Sequence, residues 1–538
     1  MKKVNLLFGS ILSGVLFTLA WPAIGDFNFL IFFAFIPLLW VESQLSVKGK
    51  SALSVFLYAY LAFFVFNIST TWWIKNADLM GAIMAILCNS FFMATVFWLF
   101  HFTKKHIGKK EGYIGLIIYW LAFEYLHLNW ELSWTWLTFG NAFATSIKSI
   151  QWYEYTGVLG GSLWVLAVNV LLFLNFKSYR ETGKVNVKSI GLTLTLMLVP
   201  ILIGRYIYTN YEENGESYEF VVVQPNIDPY HEKFGSLAPS DQIDKMINLA
   251  KQELNAETDY LIFPETAIPE PEWEHTIDFM YATEEIRKLI ADYPKLTAEI
   301  GMLSSVFYPN DVNLPKGAYS IPGGGFYENF NTSICIDSSE HIQIHHKSKL
   351  VLGVEKVPFL DILPFMKKLS IKLGGSSGQL GSQEKPSVFR SIHRNAVIAP
   401  IICYESIYGE YVTQYTSQGA NLFTIITNDG WWGDTPGYKQ HLAYASLRAI
   451  ENRRSIARSA NTGTSAFINQ KGEISQTTAW WTNAVIKGEI KSNDKITFYV
   501  KYGDYIGRTA GFVAPLLLLL TLVRKMKKTD GHLTKTKA

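Results

Sequence analysis

Apolar residues come in blocks of sixteen to twenty-three along the first two hundred positions, and about twenty is the length a helix needs to cross the hydrocarbon core of a bilayer. Seven blocks can be marked, near 5–22, 28–43, 52–73, 79–101, 113–129, 160–176 and 189–208. An eighth, 507–523, contains the run Pro515-Leu516-Leu517-Leu518-Leu519-Leu520. The long interval between the seventh and eighth blocks is polar, and within it short β-rich runs alternate with helix-like stretches, which predicts an α/β fold. Predicted strands are Tyr218–Val223, Tyr260–Phe263, Ala396–Ile402 and Leu422–Ile426, and His441 to Arg458 reads as a helix with Leu442, Ala445, Leu447, Ala449 and Ile450 on its apolar side. No internal repeat is found in this interval. The chain therefore divides into a seven-span membrane domain at 1–208, an α/β domain at 209–505, and an eighth helix with a basic tail at 506–538.

Basic residues orient the spans, because Lys and Arg near span ends stay in the cytoplasm. Lys2 and Lys3, Lys48 and Lys50, Lys104, Lys105, Lys109 and Lys110, and Lys177, Arg180, Lys184 and Lys188 fall in alternate loops, as does the tail with Arg524, Lys525, Lys527 and Lys528. The opposite short loops hold Lys75, Lys148 and the aromatic residues Trp130, Trp134, Trp136 and Trp152. Both termini are then cytoplasmic and 209–505 lies outside the cytoplasm. Met1-Lys2-Lys3 before an apolar stretch resembles a signal peptide, but with no small-residue cleavage site and more spans following, it reads as an uncleaved first helix. A charged share of 17%, against roughly 25% in soluble proteins, agrees with a chain partly in lipid. The net charge of +3 is spread in short clusters, so nucleic acid is not an expected partner.

Three cysteines, Cys88, Cys335 and Cys403, are too few for a disulfide framework. Cys88, inside an apolar block, reads as inert packing, and a Cys335–Cys403 disulfide is the bland alternative to a reactive thiol. Three segments place a reactive side chain just after an apolar strand, where α/β folds put their sites. In Phe263-Pro264-Glu265-Thr266-Ala267 a carboxylate follows the strand; the plain alternative is a solvated turn. In His345-His346-Lys347-Ser348-Lys349-Leu350 a lysine could offer a fixed positive charge to an oxyanion, against the alternative of a solvated strand end. His341, His345 and His346 lack a carboxylate or thiol at ligand spacing, so a surface strand explains them better than a metal. In Ile401-Ile402-Cys403-Tyr404-Glu405-Ser406 a thiol is flanked by ionisable groups. A lysine and a carboxylate converging on it would favour the thiolate, whereas a lone cysteine after an apolar run is usually core.

Glu, Lys and Cys in this order resemble the nitrilase superfamily, whose fold is an αββα sandwich. Eight spans around such a domain are similar to the apolipoprotein N-acyltransferase family. The resemblance also rests on Val223-Gln224-Pro225-Asn226-Ile227, Pro264-Glu265-Thr266-Ala267, Asn428-Asp429-Gly430-Trp431-Trp432-Gly433-Asp434, Arg458-Ser459-Ala460-Asn461-Thr462-Gly463 and, in the membrane part, Gly157-Val158-Leu159-Gly160-Gly161-Ser162. It implies Glu265 as general base, Lys347 as oxyanion and positioning residue, and Cys403 as nucleophile. Glu355 would match the family's second glutamate, and Tyr404 and Glu405 the residues after the cysteine. The loop Leu350–Pro358 departs from the family's Pro-Phe-Gly-Glu-Tyr-Val-Pro pattern, and Phe234 stands where some members have tryptophan.

The resemblance further implies a bacterial inner-membrane enzyme with a periplasmic catalytic domain. It would take an acyl chain from a phospholipid, hold it as a Cys403 thioester, and pass it to the N-terminal amine of a diacylglyceryl-modified apolipoprotein. No metal or organic cofactor is implied, and a monomer is expected. Gly374-Gly375-Ser376-Ser377-Gly378 lacks the Lys-Ser or Lys-Thr of a phosphate loop and reads as a mobile lid over Cys403. Trp431, Trp432, Trp480 and Trp481 are candidates to dip toward lipid, with buried packing as the alternative. Two rival functions stay open: a membrane-tethered amidase, and a transporter or receptor with an outer sensory domain. The last should carry paired charges within its spans, where Glu124 is the obvious candidate.

Overall fold

The computed structural model describes residues 3–309, 314–315, 318–359 and 379–535, and the glycine-rich stretch 374–378 lies outside them. Two compact units result, one of residues 1–75, 79–209 and 504–538, the other of 76–78 and 210–503.

The first unit is helical: α1 (Lys3–Leu19), α2 (Ile36–Val47), α3 (Ala52–Thr71), α4 (Leu79–His106), α5 (Lys109–Asn129), α6 (Tyr153–Thr182) and α7 (Val187–Asn210), with a last helix at Tyr505–Lys535. Among the described residues six segments are long and apolar enough to cross a membrane: Asn28–Val47, Ala52–Asn76, Leu79–His106, Tyr153–Thr182, Val187–Asn210 and Phe498–Lys527. The first and fifth predicted spans are helices outside that set. Val4–Leu19 is the shorter apolar helix, and α5 carries Lys109, Lys110, Glu111 and Glu124. Leu192, Leu194, Leu198, Val199 and Leu202 of α7 are all exposed, a surface that water would not tolerate and lipid would.

Inside, aromatic rings pack closely. Phe17 meets Phe35 edge-on and Phe139 face-on at centroid distances of 5.0 and 5.1 Å, and Trp120 stacks on Phe139 at 4.8 Å. Glycine lets the segment before α6 reach this core: a Cβ on Gly140 would sit 1.9 Å from Val158 O. Ser162 Oγ accepts from the Gly140 amide at 3.0 Å. Glu124 is buried and, among the described residues, pairs with no cation; its carboxyl accepts from the Phe139 amide at 2.9 Å and the Trp120 indole at 3.2 Å. A pair not foreseen joins Glu42 of α2 to Lys104 of α4, with His101 Nδ1 2.7 Å from the same carboxylate. Lys104 stands in the last turn of α4, and Glu42 in the second half of α2. Cys88 is exposed on α4 rather than packed.

The second unit has strands β1 (Ser217–Gln224), β2 (Tyr260–Ile262), β3 (Ile268–Trp273), β4 (Thr297–Tyr308), β5 (Tyr319–Ser320), β6 (Phe326–Ile336), β7 (Gln343–His346), β8 (Phe389–Arg390), β9 (Val397–Ile402), β10 (Leu422–Thr427), β11 (Ile456–Ala460), β12 (Ala466–Ile468), β13 (Ile474–Ser475) and β14 (Ala484–Lys491). Its helices are α8 (Pro239–Ala250), α9 (Tyr281–Asp292), α10 (Gly409–Ser417), α11 (Pro436–Asn452) and α12 (Phe498–Tyr502); Tyr505–Lys535 is α13. One sheet runs β14-β1-β2-β4-β6-β5, with β3 on β4 and β7 on β6; the other runs β13-β12-β11-β10-β9-β8.

The period-2 alternation of β1 shows why the sheets are covered on both faces. Tyr218, Phe220 and Val222 point between the sheets with Ile262, Ile398, Ile402 and Ile426, whereas Val221 and Val223 point to Ile243, Met246, Ile286 and Ile290 of α8 and α9. Helices α10 and α11 cover the second sheet, so the unit is a nitrilase-like αββα sandwich. Each such aliphatic side chain contributes about 1.5–3 kcal/mol on burial.

The helix predicted at His441–Arg458 is shifted. It starts at Pro436 behind a Thr435 cap, and ends where Arg453 adopts a left-handed φ of 53°. Ile456 to Ala460 then pair with β10 as a strand, because β-branched and small residues there complete the parallel sheet.

Candidate active site

Three strand ends converge. Glu265 follows β2, Lys347 follows β7 of the same sheet, and Cys403 follows β9 of the facing sheet. All three are buried, at 6%, 1% and 8% exposure, which rules out the solvated-turn and solvated-strand alternatives. Lys347 Nζ donates to Glu265 Oε1 at 3.0 Å and to Glu355 Oε1 at 2.9 Å. Asn331 of β6 donates to the same two oxygens at 2.8 and 3.0 Å. The other Glu265 oxygen accepts the Asn428 amide at 3.1 Å. Glu355 is held by the Val351 amide at 2.7 Å within a turn in which Gly353 has φ +86°. The departure from the family's loop pattern thus leaves the second glutamate on the lysine.

Burial alone would push Lys347 down, but Glu265, Glu355 and Cys403 around it hold its ammonium well above the usual lysine range. The Cys403 thiol is pushed up, first by burial and then by the Glu265 charge, against a smaller downward pull from Lys347. This differs from the thiolate expected from sequence, because burial, with the Glu265 charge added to it, outweighs the pull of Lys347. Cys403 is a free thiol, as is Cys335, so the disulfide alternative does not hold. Cys403 adopts φ +49° at the junction of β9 and the short 3-10 turn Cys403–Ile407. A left-handed non-glycine residue costs on the order of 1 kcal/mol, and here the turn is over-determined by two hydrogen-bonded networks.

Glu405 builds the first. Its carboxylate accepts from the Ile402 amide at 2.9 Å, from the Ser348 amide at 2.6 Å, and from Tyr411 and Tyr415 hydroxyls at 2.8 and 3.2 Å. The amides beside Cys403 and Lys347 thus share one anion. His345 Nε2 lies 3.3 Å from Glu405 and 2.8 Å from the Tyr415 hydroxyl. It is fully buried, so the surface-strand reading of the histidines fails for it. His346 is partly covered, near Thr332 and Glu274 at 3.0 and 3.3 Å. Glu405 therefore fastens two strand ends and makes no described contact with Glu265 or Lys347. Tyr404, also buried, packs edge-on against Tyr408 at 5.3 Å.

The second network joins Asp429 and Arg458 of the two family motifs to Ser406, three residues after Cys403, and to His441, the first residue of the predicted helix. Arg458 Nη2 donates to Asp429 Oδ2 at 2.6 Å, His441 Nδ1 is 2.9 Å from Asp429 Oδ1, and His441 Nε2 is 3.0 Å from Ser406 Oγ and 3.2 Å from Cys403 O. Burial raises the Asp429 carboxyl but Arg458 and His441 bring it down to about 2. Asn331 had one sequence signal, an amide inside an otherwise strand-like run. Trp431 stacks on Phe234 at 6.2 Å and Trp480 on Tyr438 at 4.3 Å.

Gly301 of β4 lies directly behind Glu265: a Cβ there would stand 2.7 Å from Glu265 Cα and from Pro264 O. Gly301→Ala is expected to move Glu265 and lower turnover at least tenfold, on the scale of about 1.4 kcal/mol per decade, with the protein still folded by thermal unfolding. Unchanged turnover would show that this backbone does not place Glu265 for the reaction.

Residues 222–497 match the family model described as carbon-nitrogen hydrolase, and 13–171 match that of the apolipoprotein N-acyltransferase N-terminal domain. The chain is 31% identical to the apolipoprotein N-acyltransferase of Chlorobaculum tepidum over 96% of this chain and 97% of that one. To those of Geobacter metallireducens and Thermotoga maritima it is 26% and 25% identical, covering 96% of this chain and 95% and 94% of theirs. Among solved structures it is similar to Saccharomyces cerevisiae Nit3 of the nitrilase superfamily, at 14% identity and a TM-score of 0.35, over 52% of this chain and 91% of that chain. With a relative above 30% identity matched along nearly its whole length, the chain belongs to the apolipoprotein N-acyltransferase family.

Proposed function

We propose that this enzyme N-acylates lipoproteins by moving an acyl chain from a membrane phospholipid through a Cys403 thioester to the free α-amine of a diacylglyceryl-cysteine. What carries the reading is one chain holding both the lipid-exposed helical unit and a buried Glu265, Lys347 and Cys403 set, and matching acyltransferase relatives across both. The enzyme is a bacterial inner-membrane protein in this reading, with its α/β domain on the periplasmic side; the Lys and Arg distribution among loops supports that orientation.

Burial and the Glu265 charge push the Cys403 thiol up, so attack and deprotonation are placed in one step. Glu265 takes the Sγ proton as sulfur bonds to the ester carbonyl carbon, and Lys347 stabilises the developing oxyanion. The ester C–O bond then breaks, the proton passes from Glu265 to the departing alkoxide, and lysophospholipid leaves. In the second half the amine nitrogen bonds to the same carbon, the S–C bond breaks, and the amine proton returns through Glu265 to sulfur. Glu355 keeps Lys347 charged and aimed. Glu405 and the Asp429, His441 and Arg458 set hold the turn that carries the nucleophile. Keeping the acyl chain in the apolar phase avoids about 0.8 kcal/mol per methylene of extraction.

The amidase alternative differs only in the acceptor. Mass spectrometry of a lipoprotein N-terminus from cells with and without this protein separates the two. The expected result is an added amide-linked acyl chain that depends on the protein; an unmodified N-terminus in its presence would overturn the proposal.

A further inference from the structure

The proposed mechanism leaves one buried cation unused. Lys233 stands in the loop between β1 and α8, 2% exposed. Its Nζ donates to the main-chain oxygen of Glu265 at 2.9 Å, and among the described residues it forms no ion pair. Burying an ammonium without a carboxylate is costly, so a structural role alone is a poor account of it.

Its loop is firmly placed. Gln242 of α8, fully buried, donates to Lys233 O at 2.9 Å and to Leu237 O at 3.0 Å. The adjacent Phe234 stacks on Trp431, in the loop whose Asn428 amide holds the Glu265 carboxylate. Glu265 is therefore gripped from three sides: Lys347 and Asn331 on one oxygen, Asn428 on the other, and Lys233 on the backbone. That backbone needs holding, because Thr266 next in sequence has φ +47°.

The charges point the same way. Glu265 and Glu355 bring two negative charges to one site and Lys347 returns one positive. We propose that Lys233 is a positioning residue of the active site, fixing the Glu265 main chain and supplying the second positive charge that brings this buried carboxylate cluster to neutrality. As sulfur gives up its proton, that charge lowers the energy of the anion that forms.

The proposal extends the acyl-transfer reading of the site. It also carries a pH signature, since burial, opposed by Glu265, brings the Lys233 ammonium down to about 7. Glu265 is the charged group bearing on it; the neighbouring Glu232 turns to the Asp228 amide at 3.1 Å, and Lys245 of α8 responds to Glu232. Below that pH Lys233 is charged and helps the thiol ionise. Above it the help is lost.

Alkylation of Cys403 by iodoacetamide, read by mass on the Cys403 peptide of the full-length enzyme in detergent, tests this without any lipid substrate. Wild type is expected to react on the order of tenfold faster than Lys233→Met at pH 6, with the gap closing above pH 8. Lys233→Arg keeps its charge and should outpace wild type at pH 8.5; if the Met variant does not fold, this comparison decides alone. Equal rates at pH 6, or a gap constant with pH, would overturn the proposal and leave Lys233 a packing residue. Should wild type follow the expected profile yet form no acyl peptide from phospholipid, the acyl-transfer reading fails while the role of Lys233 stands.

Discussion

Enzyme given phospholipid and no acceptor is expected to gain an acyl mass on the peptide containing Cys403, removable by neutral hydroxylamine. The expectation follows from the thiol's setting. Cys403 is buried beside a lysine and a carboxylate, and burial with the Glu265 charge pushes its thiol up, so the covalent step needs both a proton acceptor and an electrophile in place. Cys403→Ala should lose the adduct and all turnover. Glu265→Gln preserves shape but removes the proposed base, and should slow adduct formation by about 10²–10⁴-fold, the usual worth of general-base catalysis. Lys347→Ala should fail as well, since it removes the oxyanion partner and leaves Glu265 and Glu355 facing each other. With both substrates varied the kinetics should be ping-pong, because lysophospholipid departs before the amine must bind. Full activity in Cys403→Ala, or first-product release that requires the acceptor with no acylated peptide, would overturn the thioester route.

Replacing Glu405 by alanine should destabilise the α/β unit by about 3–5 kcal/mol, the cost of breaking a buried charged network by removing one member. The amides of Ile402 and Ser348, two tyrosine hydroxyls and His345 all lose their acceptor. Domains have only about 5–15 kcal/mol in hand, so a large fall in thermal midpoint is expected, with loss of activity following from the freed Cys403 turn. Glu405→Gln keeps one acceptor oxygen and should fall between. The same network sets acid sensitivity. Burial opposes ionisation of Glu405, but His345 and the two amides overcome it and hold its carboxyl below the usual range; Asp429 is held at about 2. Carboxyls lowered in the folded state stabilise it above their unfolded pKa of about 4, and that contribution disappears as pH falls toward 2. Urea unfolding at pH 7 and pH 3 checks this: wild type should lose stability on acidification and Glu405→Ala should lose less. An unchanged midpoint in Glu405→Ala would show that the network is not what holds the turn.

Much of this was legible in the chain itself, for identifiable reasons. Blocks of apolar residues long enough to span lipid are a property of composition and length, so helices fell where the blocks lay, although α1 and α5 proved short or polar for a span. The β-rich run Tyr218–Val223 marked a strand, and its continuous apolar stretch Phe220–Val223 fits a sheet covered on both faces. Glu265, Lys347 and Cys403 could be selected because each reactive residue ends an apolar strand, and the structure brings them together.

What the chain could not declare is anything that depends on which strands face each other. That Glu405 reaches away from Lys347 to tie Ser348 to Ile402, that His345 is buried rather than on a surface strand, and that Asn331 and Lys233 grip Glu265 are consequences of two sheets closing over one another. The resting protonation of Cys403 is of the same kind. Local sequence offers a lysine and a carboxylate near a thiol and suggests a thiolate; the packed site buries that thiol beside Glu265, and burial with that charge pushes it up, toward the protonated form.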